Sequence, residues 1–177
     1  MQRVFHALCF AFLAVLAPAD AVAGVTAPGA SGYAYGYFCA LEPVGELEAE
    51  GTISGTVSLI DGPPNFIRQG SLVPAQIGVG FGILFDVLPR YMGPVRVEVT
   101  HPPLGPNDVT TEVWISDLDE IRDNYIGFSF DLPYELREGR WGFRGTANGR
   151  LVFEAFFNVV DPGILPPVDC GLGALHS

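Results

Sequence analysis

The chain has no lysine: its 9 basic residues are all arginine, against 20 aspartates and glutamates, and the formal charge is −11. No run of basic residues occurs anywhere. A chain of this balance lacks the electrostatic footprint that nucleic acid or an anionic membrane surface calls for, which argues against both as partners. Histidine is equally scarce, with 3 in all. There is no G-x-S-x-G nucleophile elbow. Gly78-Val79-Gly80-Phe81-Gly82 has neither the spacing of a dinucleotide fingerprint nor a helix pattern after it, so no nucleotide cofactor is implied. Nothing outside the N-terminus is long and apolar enough to cross a bilayer.

What is present begins with a secretory signal pattern in residues 1–23. Arg3 supplies the positive charge, Val4–Leu16 the apolar run, and Ala21-Val22-Ala23 a small-residue cleavage site. The apolar run is shorter than the ~20 residues a membrane span needs. Cleavage removes Cys9 and leaves Cys39 and Cys170, an even count that in an exported chain points to a disulfide. The pair brackets almost the whole domain. In the chain-entropy model a loop that long contributes on the order of 4–5 kcal/mol, less any strain.

The mature part, about 154 residues, has the size of one domain. After a flexible leader at 24–32, short alternating segments recur between Pro/Gly turns: 33–41, 52–60, 76–88, 95–100, 109–116 and 125–132. Residues 42–50 read as an acidic connector. Segment 52–60 sets Ile53, Gly55, Val57 and Leu59 against a hydroxyl face of Thr52, Ser54, Thr56 and Ser58. The glycines at 78, 80 and 82 suggest a close backbone approach, past Trp141 or another strand. No segment carries a 3.6-residue apolar period, although 117–123 and 133–138 have room for a helical turn. Seven or eight strands at this spacing predict an all-β, immunoglobulin-like antiparallel β-sandwich over 33–160, followed by a tail, 161–177, tied down by the disulfide.

The most patterned stretch is 139–160, two strands about Asn148-Gly149. A two-residue turn would send Trp141 and Phe143 to one face and Phe153 and Phe157 to the other. A three-residue loop, Ala147-Asn148-Gly149, unites them, with Gly149 in the left-handed conformation. Arg144 and Glu154 then fall at diagonal positions on the outer face, together with Phe156 and Val152.

These residues resemble a small bacterial family of domains of unknown function. Val73-Pro74-Ala75-Gln76-Ile77-Gly78-Val79-Gly80-Phe81-Gly82 is similar to its V/I-P-A-x-x-G-x-x-F-G element, and His101-Pro102-Pro103 to its middle motif. Tyr125-Ile126-Gly127-Phe128, Gly139-x-Trp141-x-Phe143 and Phe157-x-Val159 resemble its C-terminal signature. The likeness spans most of 33–160 and implies no activity, substrate or catalytic residue.

Candidate functional residues are few, and no catalytic set emerges. Two histidines and an oxidised cysteine pair do not make a closed zinc site. His101, before two prolines, reads as a solvated loop residue; its secondary reading is a ligand or general-base position beside a pocket. Asp117, Asp119 and Asp123 form the one cluster that suits calcium, but Ile121 and Arg122 replace the oxygen ligand and glycine of an EF-hand loop. Trp114, sharing a face with Thr110 and Glu112, and Phe156 are the candidate interaction surface. The expectation is an exported non-enzymatic domain that binds or supports another envelope protein. The alternative is a small hydrolase or ligand carrier with a pocket near His101.

Overall fold

The computed structural model describes residues 24–171; the signal pattern at 1–23, with Cys9, and the end of the tail, with His176, lie outside them. Twelve strands follow in order: β1 (Val25–Thr26), β2 (Ala30–Cys39), β3 (Pro43–Glu48), β4 (Thr56–Ile60), β5 (Arg68–Gln69), β6 (Leu72–Pro74), β7 (Val79–Val87), β8 (Gly93–Leu104), β9 (Val109–Leu118), β10 (Asn124–Ser129), β11 (Gly139–Ala147) and β12 (Arg150–Val160). One sheet runs β1-β12-β11-β8-β9, with β6 added in parallel to β12; the other runs β10-β7-β2-β5. Strands β3 and β4 form a separate hairpin. The result is the expected all-β sandwich. The stretch expected to be a flexible leader contains β1 and the start of β2, and the acidic connector contains β3.

Alternation explains the layers. Val79, Phe81, Ile83, Phe85 and Val87 of β7 face Val95, Val97 and Val99 of β8 and the inward residues of the last hairpin, and all are buried. Phe81 lies at the centre, with the rings of Phe130, Trp141, Phe143 and Phe157 at 5.3–5.5 Å, edge-on or tilted. Trp141 satisfies its indole N–H on the Arg137 carbonyl at 3.0 Å.

The last hairpin unites the two apolar sets as expected, but in a different register from the one a three-residue loop gives, which would pair Trp141 with Ala155. Trp141 pairs with Phe157, Phe143 with Ala155 and Gly145 with Phe153, so the two apolar sets do share a face. The loop, however, has two residues, Asn148 and Gly149, both at positive φ, with Ala147 paired to Arg150. The parity is restored by a bulge: Gly145 pairs with Phe153 but Thr146 with Leu151, leaving Val152 as the extra residue. Val152 is therefore buried rather than on the wet face. Arg144 and Glu154 sit directly opposite each other, 4.0 Å apart and largely exposed, a contact worth ~0–1 kcal/mol.

The glycines of β7 answer to aromatic rings on the outer side of the second sheet, not to Trp141. A Cβ on Gly80 would lie 2.6 Å from the Phe38 ring, and one on Gly82 would meet the backbone of Ile126 and Gly127 beneath Tyr125. Phe38 packs edge-on against Tyr125 and Phe66 there, forming a second small apolar cluster.

Cys39 and Cys170 are disulfide-bonded across 131 residues. The tail has further anchors, since Leu165 is buried and Gln76 Nε2 donates to the Val168 carbonyl at 2.9 Å. Reduction frees the unfolded chain, but the tail also frays in the folded state, and that returns part of the entropy difference. A Cys39→Ser/Cys170→Ser variant should therefore lose about 2–3 kcal/mol in a urea titration, short of the full loop-closure value. An unchanged midpoint would show that the bridge does not constrain the unfolded chain.

Candidate functional site

Strands β9 and β10 are edge strands of opposite sheets, and the β3–β4 hairpin closes the gap between them. At its base the hairpin joins the second sheet, where the Ala40 N–H donates to Gly78 and the Ile67 N–H to Tyr37. At its tip, residues 49–55 dock on β9: the Val113 N–H donates to the Gly51 carbonyl at 2.9 Å, and the Ile53 N–H to Glu112 Oε2 at 2.7 Å. Gly51 leaves no room for a side chain there, because a Cβ would run into the Val113 carbonyl. The tip thereby covers the free edge of β9.

The hairpin faces are reversed relative to ordinary burial. Leu47 pairs with Val57 and Gly45 with Leu59, so these share one face. Leu47 and Leu59 are 41% and 47% exposed. The opposite face carries Glu46, Thr56 and Ser58 and looks inward, onto a groove of about 590 Å³. The hydroxyl row legible in the sequence thus borders an open groove, while Leu47 and Leu59 on the other face meet solvent. The remaining walls are Trp114 of β9, Tyr125 and Phe128 of β10, and the turn after it, with Asp131, Tyr134 and Glu135.

Beneath the groove lies a buried polar pair. His101 is not in a solvated loop: the inward alternation Val95, Val97, Val99 of β8 continues to it, and its side chain has no exposed surface. Pro102 and Pro103 end the ladder with β9 without ending the strand, since pairing jumps from Thr100 to Leu104. His101 Nδ1 is 2.8 Å from the Pro102 carbonyl, and the ring is 5.0 Å from that of Trp141. A carbonyl only accepts, so Nδ1 carries a hydrogen. Nε2 lies 3.2 Å from Glu112 Oε1, too poorly aligned for a hydrogen bond, and has no other partner. With both nitrogens protonated the contact is an ion pair; with one, a bare lone pair faces the carboxylate. Glu112 is 7% exposed. Burial pushes its carboxyl up, but the contact with His101, the Ile53 N–H and the charge of His101 together hold it below its usual value of 4.5.

Two other carboxyls of the groove move the opposite way. Burial raises Asp131, and the charge of Glu42 adds to it. Burial also raises Glu135; the charges of Asp131 and Glu112 reinforce this against the Leu132 and Asp131 N–H groups, which donate to Glu135 Oε2 at 2.8 Å.

Trp114 and Glu112 thus lie together on the groove, as their shared face implies. Phe156 lies elsewhere, on the outer face of the first sheet, over Gly142 and under the Arg140 guanidinium at 3.9 Å. Asp117, Asp119 and Asp123 are exposed, and Asp123 takes a left-handed φ of 60°. Among the described residues no group of three or more His, Cys, Asp or Glu side chains is placed to hold a metal ion. Also among the described residues, no helix is long and apolar enough to cross a membrane. The sequence reading missed Glu112 as a site residue, along with Asp131 and Glu135. The first was detectable, since inward alternation on two paired strands places His101 and Glu112 on the same face.

Two packed sheets with a bridging hairpin and, among the described residues, no helix beyond single turns define an immunoglobulin-like β-sandwich. The chain belongs to a family described as a domain of unknown function (DUF3859), whose profile matches residues 33–159. Among solved structures, the chain is similar to that of an immunoglobulin-like protein from Pseudomonas aeruginosa, with 20% identity and a TM-score of 0.50 over 80% of this chain and 99% of that one. No curated protein matches it.

Proposed function

We propose that the protein is an exported, non-enzymatic binding or accessory protein of the cell envelope, with its ligand seat in the groove beneath the β3–β4 hairpin. One observation carries this reading. The hairpin turns its polar face toward an open groove and leaves leucines in solvent, an arrangement that costs burial and makes sense where the groove has a polar occupant. A volume of about 590 Å³ is that of a small-molecule site. Export accords with the signal pattern and with the disulfide, which suits an oxidising compartment. Trp114 belongs to this seat, while Phe156, beneath Arg140, is left as a separate contact point.

The ligand-carrier alternative merges with this reading, because the groove lies directly over the His101–Glu112 pair. The hydrolase alternative does not. A nucleophilic relay needs the imidazole between hydroxyl and carboxylate. Here Glu112 stands between His101 and the groove, and Ser54 gives its hydroxyl to the Thr56 carbonyl at 2.7 Å.

The test is to recover the protein from its own host and weigh it under native conditions. It should sit in the envelope fraction, begin at Gly24 and retain a bound mass that Ser58→Tyr, which fills the groove from the exposed hairpin, abolishes. A cytosolic chain that keeps residues 1–23 would overturn export. A bound mass indifferent to Ser58→Tyr would overturn the groove as the seat.

A further inference from the structure

The groove has a marked chemistry. Five carboxylates line it from separate elements: Glu42 and Glu46 from the hairpin and its approach, Glu112 from β9, and Asp131 and Glu135 from the turn after β10. No arginine or histidine lines it, and the chain has no lysine. The nearby imidazole, that of His101, is sealed beneath the floor against Glu112. Burial and the charge of Glu42 raise Asp131, and burial with the charges of Asp131 and Glu112 raises Glu135 against the two N–H groups it accepts, and no cationic side chain lines the groove to offset this. Aromatic rings stand among them, Trp114, Tyr125, Phe128 and Tyr134, and such faces attract positive charge. The carboxylates are too dispersed to converge on a single metal ion. A longer molecule carrying charge at more than one point matches this spread.

We infer that the groove takes a small organic cation, an ammonium or guanidinium compound on a short apolar or hydroxylated stem. This rests on the groove being the ligand seat and adds the class of ligand. The carboxylates of Glu46 and Asp131 meet the cationic ends, the hydroxyls of Thr56 and Ser58 accept its N–H groups, and Trp114 covers its stem. The negative potential of the chain as a whole draws cations toward the site but does not select among them.

The experiment titrates the envelope-purified protein at low ionic strength with spermidine, maltotriose, suberate and Ca²⁺, reading tryptophan emission and calorimetric heat. Spermidine should saturate one site, and its affinity should weaken as salt rises past about 0.1 M. Glu46→Gln/Asp131→Asn, both exposed positions, should weaken it by about tenfold or more. Asp117→Asn/Asp119→Asn removes the same charge outside the groove and should leave it unchanged. Equal losses from both double variants would mean general attraction to an acidic surface and would overturn the inference. Saturation by maltotriose, suberate or Ca²⁺ in place of spermidine would overturn the cation class while leaving the groove as a seat. Silence from all four would overturn it too, with the retained-mass experiment still deciding whether the groove is occupied at all.

Discussion

Phe81→Ala should lower the free energy of unfolding by about 3–5 kcal/mol, read from a urea titration, and the melting midpoint by on the order of 10 °C. Phe81 is fully buried and packs against rings from two other strands and the segment after β10, so its removal leaves a void bordered by stiff aromatic side chains. Rings fixed by their own strands do not collapse into such a space, which places the cost at the upper end of the range for core truncations. Phe81→Leu keeps most of the volume and should cost about 1–2 kcal/mol. Ile115→Ala, at a position 55% exposed, serves as the control and should stay within about 0.5 kcal/mol. A loss below about 2 kcal/mol for Phe81→Ala would mean that the two sheets close over the gap, and that the aromatic cluster is softer than its geometry indicates.

The core was legible in the sequence because alternation reports it directly. Val95-x-Val97-x-Val99 and Trp141-x-Phe143 against Phe153-x-Ala155-x-Phe157 mark the inner face whatever the turns do. The turn itself was harder. A three-residue loop and a two-residue loop followed by a bulge both put the two apolar sets on one face, but the first would pair Trp141 with Ala155 and the second pairs it with Phe157. The partner of Trp141 and the burial of Val152 separate them, and alternation by itself reports neither.

The groove was less legible, for a physical reason. Alternation states that a strand has two faces; it does not state which face is covered. In β4 the ordinary assumption puts Val57 and Leu59 inside, whereas in the structure Thr56 and Ser58 border the groove, Val57 is half-buried and Leu59 is exposed. The reversal depends on tertiary anchoring at Gly51 and Ile53, which no local pattern contains. Strand β3 was hidden for a related reason: Glu46 and Glu48 read as a solvated link, although Glu46 faces the groove across the ladder from Ser58. His101 is the opposite case. It was visible as the next inward position after Val99, but the two prolines that follow it look like the end of a strand. Proline breaks the ladder by lacking an N–H; its extended φ lets the strand itself continue.

His101→Ala should cost about 3–5 kcal/mol near neutral pH, because it leaves the Glu112 carboxylate buried with the Ile53 N–H as its only remaining partner. It also opens space beside Trp141, whose ring is 5.0 Å from that of His101. Glu112→Gln is the informative companion. It keeps the side-chain shape and an acceptor for Ile53 but removes the charge, so its cost should be smaller, about 1–2 kcal/mol. The two variants separate in their pH dependence. The folded Glu112 carboxyl lies below its usual 4.5, so its ionisation contributes stability above the unfolded value, and that contribution is lost as pH falls through the folded one. The gap between wild type and Glu112→Gln should therefore narrow on acidification through and below 4.5. In His101→Ala the terms that lowered the Glu112 carboxyl through the ring are gone and burial dominates, so the shift changes sign and this variant gains on the wild type as pH falls. Urea midpoints from neutral pH down through the carboxylate range would show both trends. Parallel curves for all three proteins would mean that the His101–Glu112 contact carries no net charge stabilisation. The pair would then be held only by the packing of Trp141 above it and the hairpin tip beside it.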